Sequence, residues 1–423
     1  MIRIMKRGEV SESELFARKV NGADVAGAVA DIIADVRRDG DAALKKYNEK
    51  FDRCCCESLL VSEQEFDAAV EAVGPELLRV LERSARNIRE YHLRQVRHDY
   101  IVTAEDGSVL GQRVLPMARV GLYVPGGTAA YPSSVLMNCI PAKIAGVGEI
   151  VMTTPASGGE VSPAILAAAK VAGVDRVFKV GGAQAVAALA YGTESVPRVD
   201  KIVGPGNAFV AEAKRQVYGQ VAIDMIAGPS EILIVSDGKT SAKWLAADML
   251  SQAEHDKLAT AILITDSMEQ ALAVQSELER QLAALPREEI ARASIENNGK
   301  IIVAEDLGEA VDIANEIAPE HLELCVDAPF DYLGRVRNAG SIFLGRYSPE
   351  PVGDYLAGTN HTLPTMGTAR FSSPLSVDDF VKKSCFSYYT PAALEAAADD
   401  IALFADAEGL HGHAVSATIR REG

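Results

Sequence analysis

Five of the seven histidines in this chain fall after residue 250: His255, His321, His361, His411 and His413. Most stand beside carboxylates or amides in segments with little structural need for an imidazole, which marks them for chemistry rather than packing. Gln252 and His255 lie three apart at the end of a helical stretch, so they share one face and can point at one ion. A polar helix end would leave the same pattern. Glu320-His321 follows Pro319 and opens an apolar run. An imidazole there can take a proton near neutral pH, and the adjacent carboxylate can orient or deprotonate a water. The glycine-punctuated segment 353–361 offers Asp354 as an oxygen ligand and His361 as a donor to a substrate carbonyl or carboxylate. In segment 408–413, His411 and His413 are two apart and fall on different helix faces, so one of them reaches a shared site. Together Gln252, His255, Asp354 and His413 form a nitrogen–oxygen set suited to zinc or a similar borderline divalent ion. There is no HExxH motif, so spacing alone does not establish a metal.

Glycine turns give a second, weaker signal. Gly204-Pro205-Gly206-Asn207 ends an apolar run and opens a helical one, with Asn207 as a natural N-cap. Such a turn presents backbone N–H groups and the positive end of a helix dipole to a phosphate. Phe209 stands where a dinucleotide fingerprint wants its third glycine, and Gly181-Gly182-Ala183-Gln184 has the same shortfall.

These residues need elements to hold them. Residues 11 to about 98 carry helix-spaced apolar positions and abundant charge, and His92 and His98 read as part of a solvated helix face. From residue 119 short apolar runs alternate with helical segments. Strands are expected at 120–124, 150–154, 176–180 and 201–203, then at 232–236, 261–265, 301–304, 322–326 and 341–344. Helices are expected at 163–171, 208–217, 242–255, 268–284 and 307–317. This alternation implies mostly parallel sheets with covered faces, in two related α/β units. From about Val377 the pattern returns to helix, as a tail.

Composition narrows the partners. With 42 basic and 59 acidic residues, the net charge of −17 argues against nucleic acid or an anionic membrane as the main partner. No run approaches the ~20 apolar residues of a membrane helix, and the first residues lack a signal-peptide stretch. A cytoplasmic protein is expected. The cysteines, Cys54-Cys55-Cys56 with Cys139, Cys325 and Cys385, contain no CxxC pair and read as free thiols in a reducing compartment. Cys139 and Cys325 read as small buried hydrophobes.

Ile223-Asp224-Met225-Ile226-Ala227-Gly228-Pro229-Ser230-Glu231-Ile232 closely resembles the signature segment of the histidinol dehydrogenases. So do the segments 121–127, 251–255, 319–323 and 358–365, in the family's order, over about residues 25 to 420. The resemblance implies two incomplete Rossmann-like, doubly wound, mostly parallel α/β units with a helical N-terminal region and a helical C-terminal tail. Residues 1–24 would be an arm, 25–122 with 229–376 the first unit, 123–228 an inserted second unit, and 377–423 a tail that completes the site. It implies Gln252, His255, Asp354 and His413 as zinc ligands and Glu320 and His321 as the proton-transfer pair. Ser230, His361 and Glu408 would touch substrate together with His321 and the zinc ligands. Tyr123, Gln184 and Asn207 would contact NAD. The implied reaction is the four-electron oxidation of L-histidinol through L-histidinal to L-histidine with two NAD, the last step of histidine biosynthesis. The implied assembly is a homodimer whose tails complete each other's sites. A related dehydrogenase acting on a sulfonated diol and a non-redox metal-dependent hydrolase are the competing readings. Residues 366–375 resemble the histidinol branch more closely.

Overall fold

Glu231–Ser236 and Thr260–Thr265 are buried along their whole length, as strands covered on both faces must be. The computed structural model describes residues 1–18, 24–126 and 130–421. Its strands are β1 (Arg3–Lys6), β2 (Tyr100–Thr103), β3 (Val109–Pro116), β4 (Arg119–Tyr123), β5 (Glu149–Thr154), β6 (Arg176–Lys179) and β7 (Lys201–Val203). They continue as β8 (Ala222–Ile223), β9 (Glu231–Ser236), β10 (Thr260–Thr265), β11 (Lys300–Val303), β12 (His321–Cys325), β13 (Ser341–Leu344) and β14 (Val381–Tyr388).

One sheet has the order β1-β11-β10-β9-β12-β13 and another β6-β5-β4-β7-β8. Every pairing in both is parallel. Leaving out the edge strand β1, each reads 3-2-1-4-5 in its own chain order, the Rossmann order without its sixth strand. The expected pair of doubly wound α/β units is what the chain forms.

Alternate residues of β4 and β5 serve different cores, as a pleated strand requires. Val120, Leu122, Ile150 and Met152 pack with the helices Pro132–Ala145 and Pro163–Ala172, while Tyr123 and Val151 pack with Gly182–Tyr191 and Ala208–Val217. The N-terminal helices form an outer layer here: Glu63–His92 lies over the first pair and Ala26–Asp39 over the second.

Several expectations are corrected. The tail is not helical from Val377, because β14 pairs antiparallel with β3, which also pairs with β2. The partner strand lies more than 260 residues upstream, so no local window shows the pairing, although Val381, Phe386 and Tyr388 are β-formers. The described residues from 11 to about 98 are mainly helical, as expected, and β1, in the N-terminal arm, joins β11. His92 is fully buried, not solvated: Nδ1 bonds the Ile88 carbonyl at 2.8 Å and Nε2 meets Asn360 Nδ2 at 3.3 Å. Cys54 and Cys56 are not free thiols but joined in a disulfide. Their Cα atoms lie 5.6 Å apart, within the span such a bridge covers. Cys139 and Cys325 are free and buried as expected. Among the described residues no helix is long and apolar enough to cross a membrane.

Candidate active site

The chain leaves the five-stranded sheet after β8 at its carboxyl edge and enters the six-stranded sheet at the amino edge of β9. Segment 224–230 links those two edges. Doubly wound sheets usually hold ligands at the carboxyl edge, yet Glu320 and His321 lie at the amino edge, where His321 starts β12 opposite Ile232 and Ser341. At the carboxyl edge of β9 and β12 the crevice is occupied by ion pairs. Arg346 Nη2 binds Asp237 at 2.6 Å, Nη1 binds Asp327 at 2.7 Å, and Nε binds Thr240 at 2.8 Å.

The proton-transfer candidates hang on one peptide unit each side of Glu231. Its N–H donates to Glu320 Oε2 at 2.8 Å, and its carbonyl accepts from His321 Nδ1 at 2.9 Å. With Nδ1 carrying the proton, His321 Nε2 keeps its lone pair, and that atom is buried without a hydrogen-bond partner. Burial lowers the His321 pKa, so the ring stays neutral and basic. Burial, with the nearby charges of Glu231, Asp354 and Glu350, pushes the Glu320 carboxyl well above the usual range, which makes its carboxylate a stronger base.

His321, Glu350 and Asp354 bring ligand atoms within 4.8 Å of one another, the one such cluster among the described residues. Glu350 Oε1 lies 3.7 Å from His321 Nε2, and burial beside Asp354 pushes its carboxyl up to about 9. Burial alone would raise Asp354, but hydrogen bonding from His361 holds it at about 2. His361 Nδ1 lies 3.5 Å from Asp354 Oδ1, and its Nε2 meets Ser134 Oγ at 3.3 Å. Gly358 sets this loop: at φ +94 its missing Cβ would collide with the Asn87 carbonyl. Gln252, at the end of the helix Ala242–Ala253, buries both side-chain amide atoms without a partner. An amide buried that way is costly unless a ligand completes it. His255 is half-buried close by, and burial, despite the Asp354 charge, lowers its pKa. Amide oxygen, imidazole and carboxylate are donors that fit a borderline divalent cation. Ser230 immediately precedes β9 and lends its carbonyl to Thr260 N–H at 2.9 Å.

Across the cleft, the Gly204 turn ends β7. Gly204 has φ +116, and a Cβ there would collide with the Tyr123 carbonyl oxygen. Lys214 Nζ grips its carbonyl at 2.9 Å and Asp224 Oδ2 its N–H at 2.7 Å. Asn207 is the expected N-cap, accepting from Phe209 and Val210 N–H at 3.0 and 3.2 Å. Tyr123 Oη accepts from Gly182 N–H at 3.1 Å, and burial raises the phenol to about 12. Gln184 Oε1 is buried without a partner. Gly127 lies outside the described residues.

Glu408 and His413 are not brought to these groups. Both are exposed, Glu408 as C-cap of Pro391–Ala407 and His413 in His411–Thr418, helices that pack chiefly on each other. The sequence reading missed Glu350, though its setting between Pro349 and Pro351 marks an unusual backbone. It also missed Ser134 and the support role of Asp224 and Lys214, which only the fold brings to their partners.

A model of the histidinol dehydrogenase family matches residues 16–421. Histidinol dehydrogenase of Geobacillus kaustophilus is 58% identical over 396 residues, covering 93% of each chain. That of Clostridium acetobutylicum is 51% identical over 426 residues, covering 99% of each. The crystal structure of histidinol dehydrogenase from Elizabethkingia anophelis superposes with a TM-score of 0.95 at 36% identity, covering 100% of this chain and 98% of that one. The chain belongs to the histidinol dehydrogenase family, and it is an oxidoreductase.

Proposed function

We propose that the chain oxidises L-histidinol through L-histidinal to L-histidine, the last step of histidine biosynthesis in the cytoplasm, with one zinc per subunit and two NAD in succession. The observation that carries this reading is His321: one nitrogen is tied to the Glu231 carbonyl, and the other is buried, unpaired and aimed at Glu350 and Asp354.

His321 Nε2 takes the hydroxyl proton of histidinol, and its fixed tautomer means no ring flip is needed before the transfer. Glu320, anchored by the Glu231 N–H, deprotonates the water that adds to the aldehyde. His321 serves again as base when the hydrate is oxidised. Gln252, His255 and Asp354, with His413 of a second copy, would hold zinc, which when bound supplies a Lewis acid that anchors the amine and imidazole nitrogens of the substrate. Ser230, His361 and the second copy's Glu408 complete the substrate contacts. Tyr123, Gln184 and Asn207 would hold NAD, which supplies the hydride acceptor. The glycine turn at β7, with Asn207 exposed at its end, favours the five-stranded sheet for the nucleotide, because ion pairs occupy the matching crevice of the other sheet. The exposed tail, carrying Leu403 and Phe404 at 74% and 71% exposure, supports a homodimer with exchanged tails.

The test supplies histidinol, NAD and zinc to the purified protein and follows NADH and histidine together. Two NADH per histidine are expected. A sulfonated diol is run beside it; turnover of the diol and none of histidinol overturns the reading.

A further inference from the structure

The N-terminal segment reaches the reaction centre through one side chain. Arg18 Nε pairs with Glu231 Oε1 at 2.8 Å and Nη2 approaches Oε2 at 3.2 Å, while Nη2 also donates to the Ile317 carbonyl at 2.7 Å. One partner belongs to the strand that hydrogen-bonds the proton-transfer pair, the other to the segment that carries it. Glu231 starts β9, and its peptide groups hold both Glu320 and His321. Ile317 ends the helix Leu307–Ile317, and left-handed Ala318 (φ 51) and Pro319 lead from it directly into Glu320. The guanidinium therefore ties the strand whose peptide groups hold the pair to the turn that carries it.

Its surroundings are built for that task. Lys300, at the start of β11, donates to the Leu15 and Ala17 carbonyls at 2.9 and 2.6 Å and so fixes the backbone just before Arg18. On the other side stands Gly367, where a Cβ would approach Arg18 Nη1 to 2.8 Å. The Glu231 side chain is 4% exposed and that of Arg18 19%. A buried ion pair gains little net stability, because desolvation offsets the attraction. What a forked, planar cation adds is geometry, since it can hold a carboxylate and a carbonyl at fixed angles together.

We propose that Arg18 is a positioning residue for the oxidation: by bridging Glu231 and Ile317 it sets the register between β9 and the Pro319–His321 turn, and so the aim of Glu320 and His321. This rests on the pair's proposed role in histidinol oxidation. Misplacing a proton-transfer group by an ångström or less costs about tenfold or more in rate, while substrate anchoring through other residues is spared. Arg18→Ala should lower kcat about tenfold or more, with KM for histidinol within about twofold and zinc content unchanged. Arg18→Lys keeps the charge but reaches only one of the two partners, so kcat should fall to an intermediate value, about threefold below wild type.

Kinetics, zinc content and melting temperature are measured on the zinc-loaded full chain for wild type and both variants. A kcat for folded Arg18→Ala within about twofold of wild type overturns the proposal. So does a loss of rate that only tracks lost zinc or lost folding and is no smaller in Arg18→Lys. If Arg18→Ala does not fold, Arg18→Lys decides alone, and a wild-type kcat there is the refuting result. Failure of the wild type to oxidise histidinol is separate: it sinks the functional reading, not the bridge.

Discussion

Lys214→Met removes one charge from beneath the glycine turn while keeping the volume of the side-chain stem. Lys214 and Asp224 form an ion pair with side-chain exposures of 2% and 1%. Between them they hold both the carbonyl and the N–H of Gly204. After the substitution the Asp224 carboxylate stays buried, with only the N–H groups of Gly204 and Met225, at 2.7 and 2.6 Å, to satisfy it. Breaking a buried pair on one side costs about 3–5 kcal/mol, and the remaining peptide donors place this case near the lower figure. The turn itself has no slack, because Gly204 packs directly on the Tyr123 carbonyl. Relaxation of the turn should therefore appear as weaker cofactor binding: KM for NAD rises about tenfold, equivalent to ~1.4 kcal/mol. KM for histidinol, whose proposed site lies at the other sheet, should move less than about twofold. Lys214→Met/Asp224→Asn, with no buried charge left, should regain most of the stability but not the NAD affinity. Calorimetric melting and initial rates at varied NAD measure both effects. Unchanged melting with unchanged KM for NAD would refute the argument, and an equal rise in both KM values would show general loosening instead.

Chelation to metal-free protein, verified by elemental analysis, should abolish turnover, and added zinc should restore it; full activity without metal would remove the proposed role of Gln252, His255 and Asp354. His321→Asn should slow both oxidations, whereas Glu320→Gln should spare the first hydride transfer and impair oxidation of supplied histidinal. Wild-type histidinal oxidation by Glu320→Gln would contradict the assignment of the water-activating base. If two copies exchange tails as proposed, mixing the impaired His321→Asn and His413→Asn variants should return about a quarter of wild-type activity, since random reassortment would make about half the dimers mixed and give each of those one intact site. No recovery, with reassortment confirmed by mass spectrometry, would place the tail on its own body.

Strands such as Glu231–Ser236 and Thr260–Thr265 were legible because burial on both faces demands an unbroken apolar run, and a local window sees it. Asn207 was legible as a cap for the same reason, since a cap bonds residues two and three ahead. What stayed hidden depends on distant partners. β14 is mostly exposed and owes its conformation to β3, and Glu350 becomes notable only when the fold sets it 3.7 Å from His321. Arg18 looks like any basic residue until it meets Glu231, 213 positions away. The two sheets make the point most sharply, because they share one strand order. Topology alone would give each a ligand crevice at its carboxyl edge. Side chains divide the labour: Arg346 closes one crevice with Asp237 and Asp327, while at the other Lys214 and Asp224 hold the Gly204 turn from within and Asn207 stands exposed at the head of its helix. Opening the first crevice by Arg346→Ala would not create a second cofactor site, because it leaves the Asp237 and Asp327 carboxylates there to repel a phosphate.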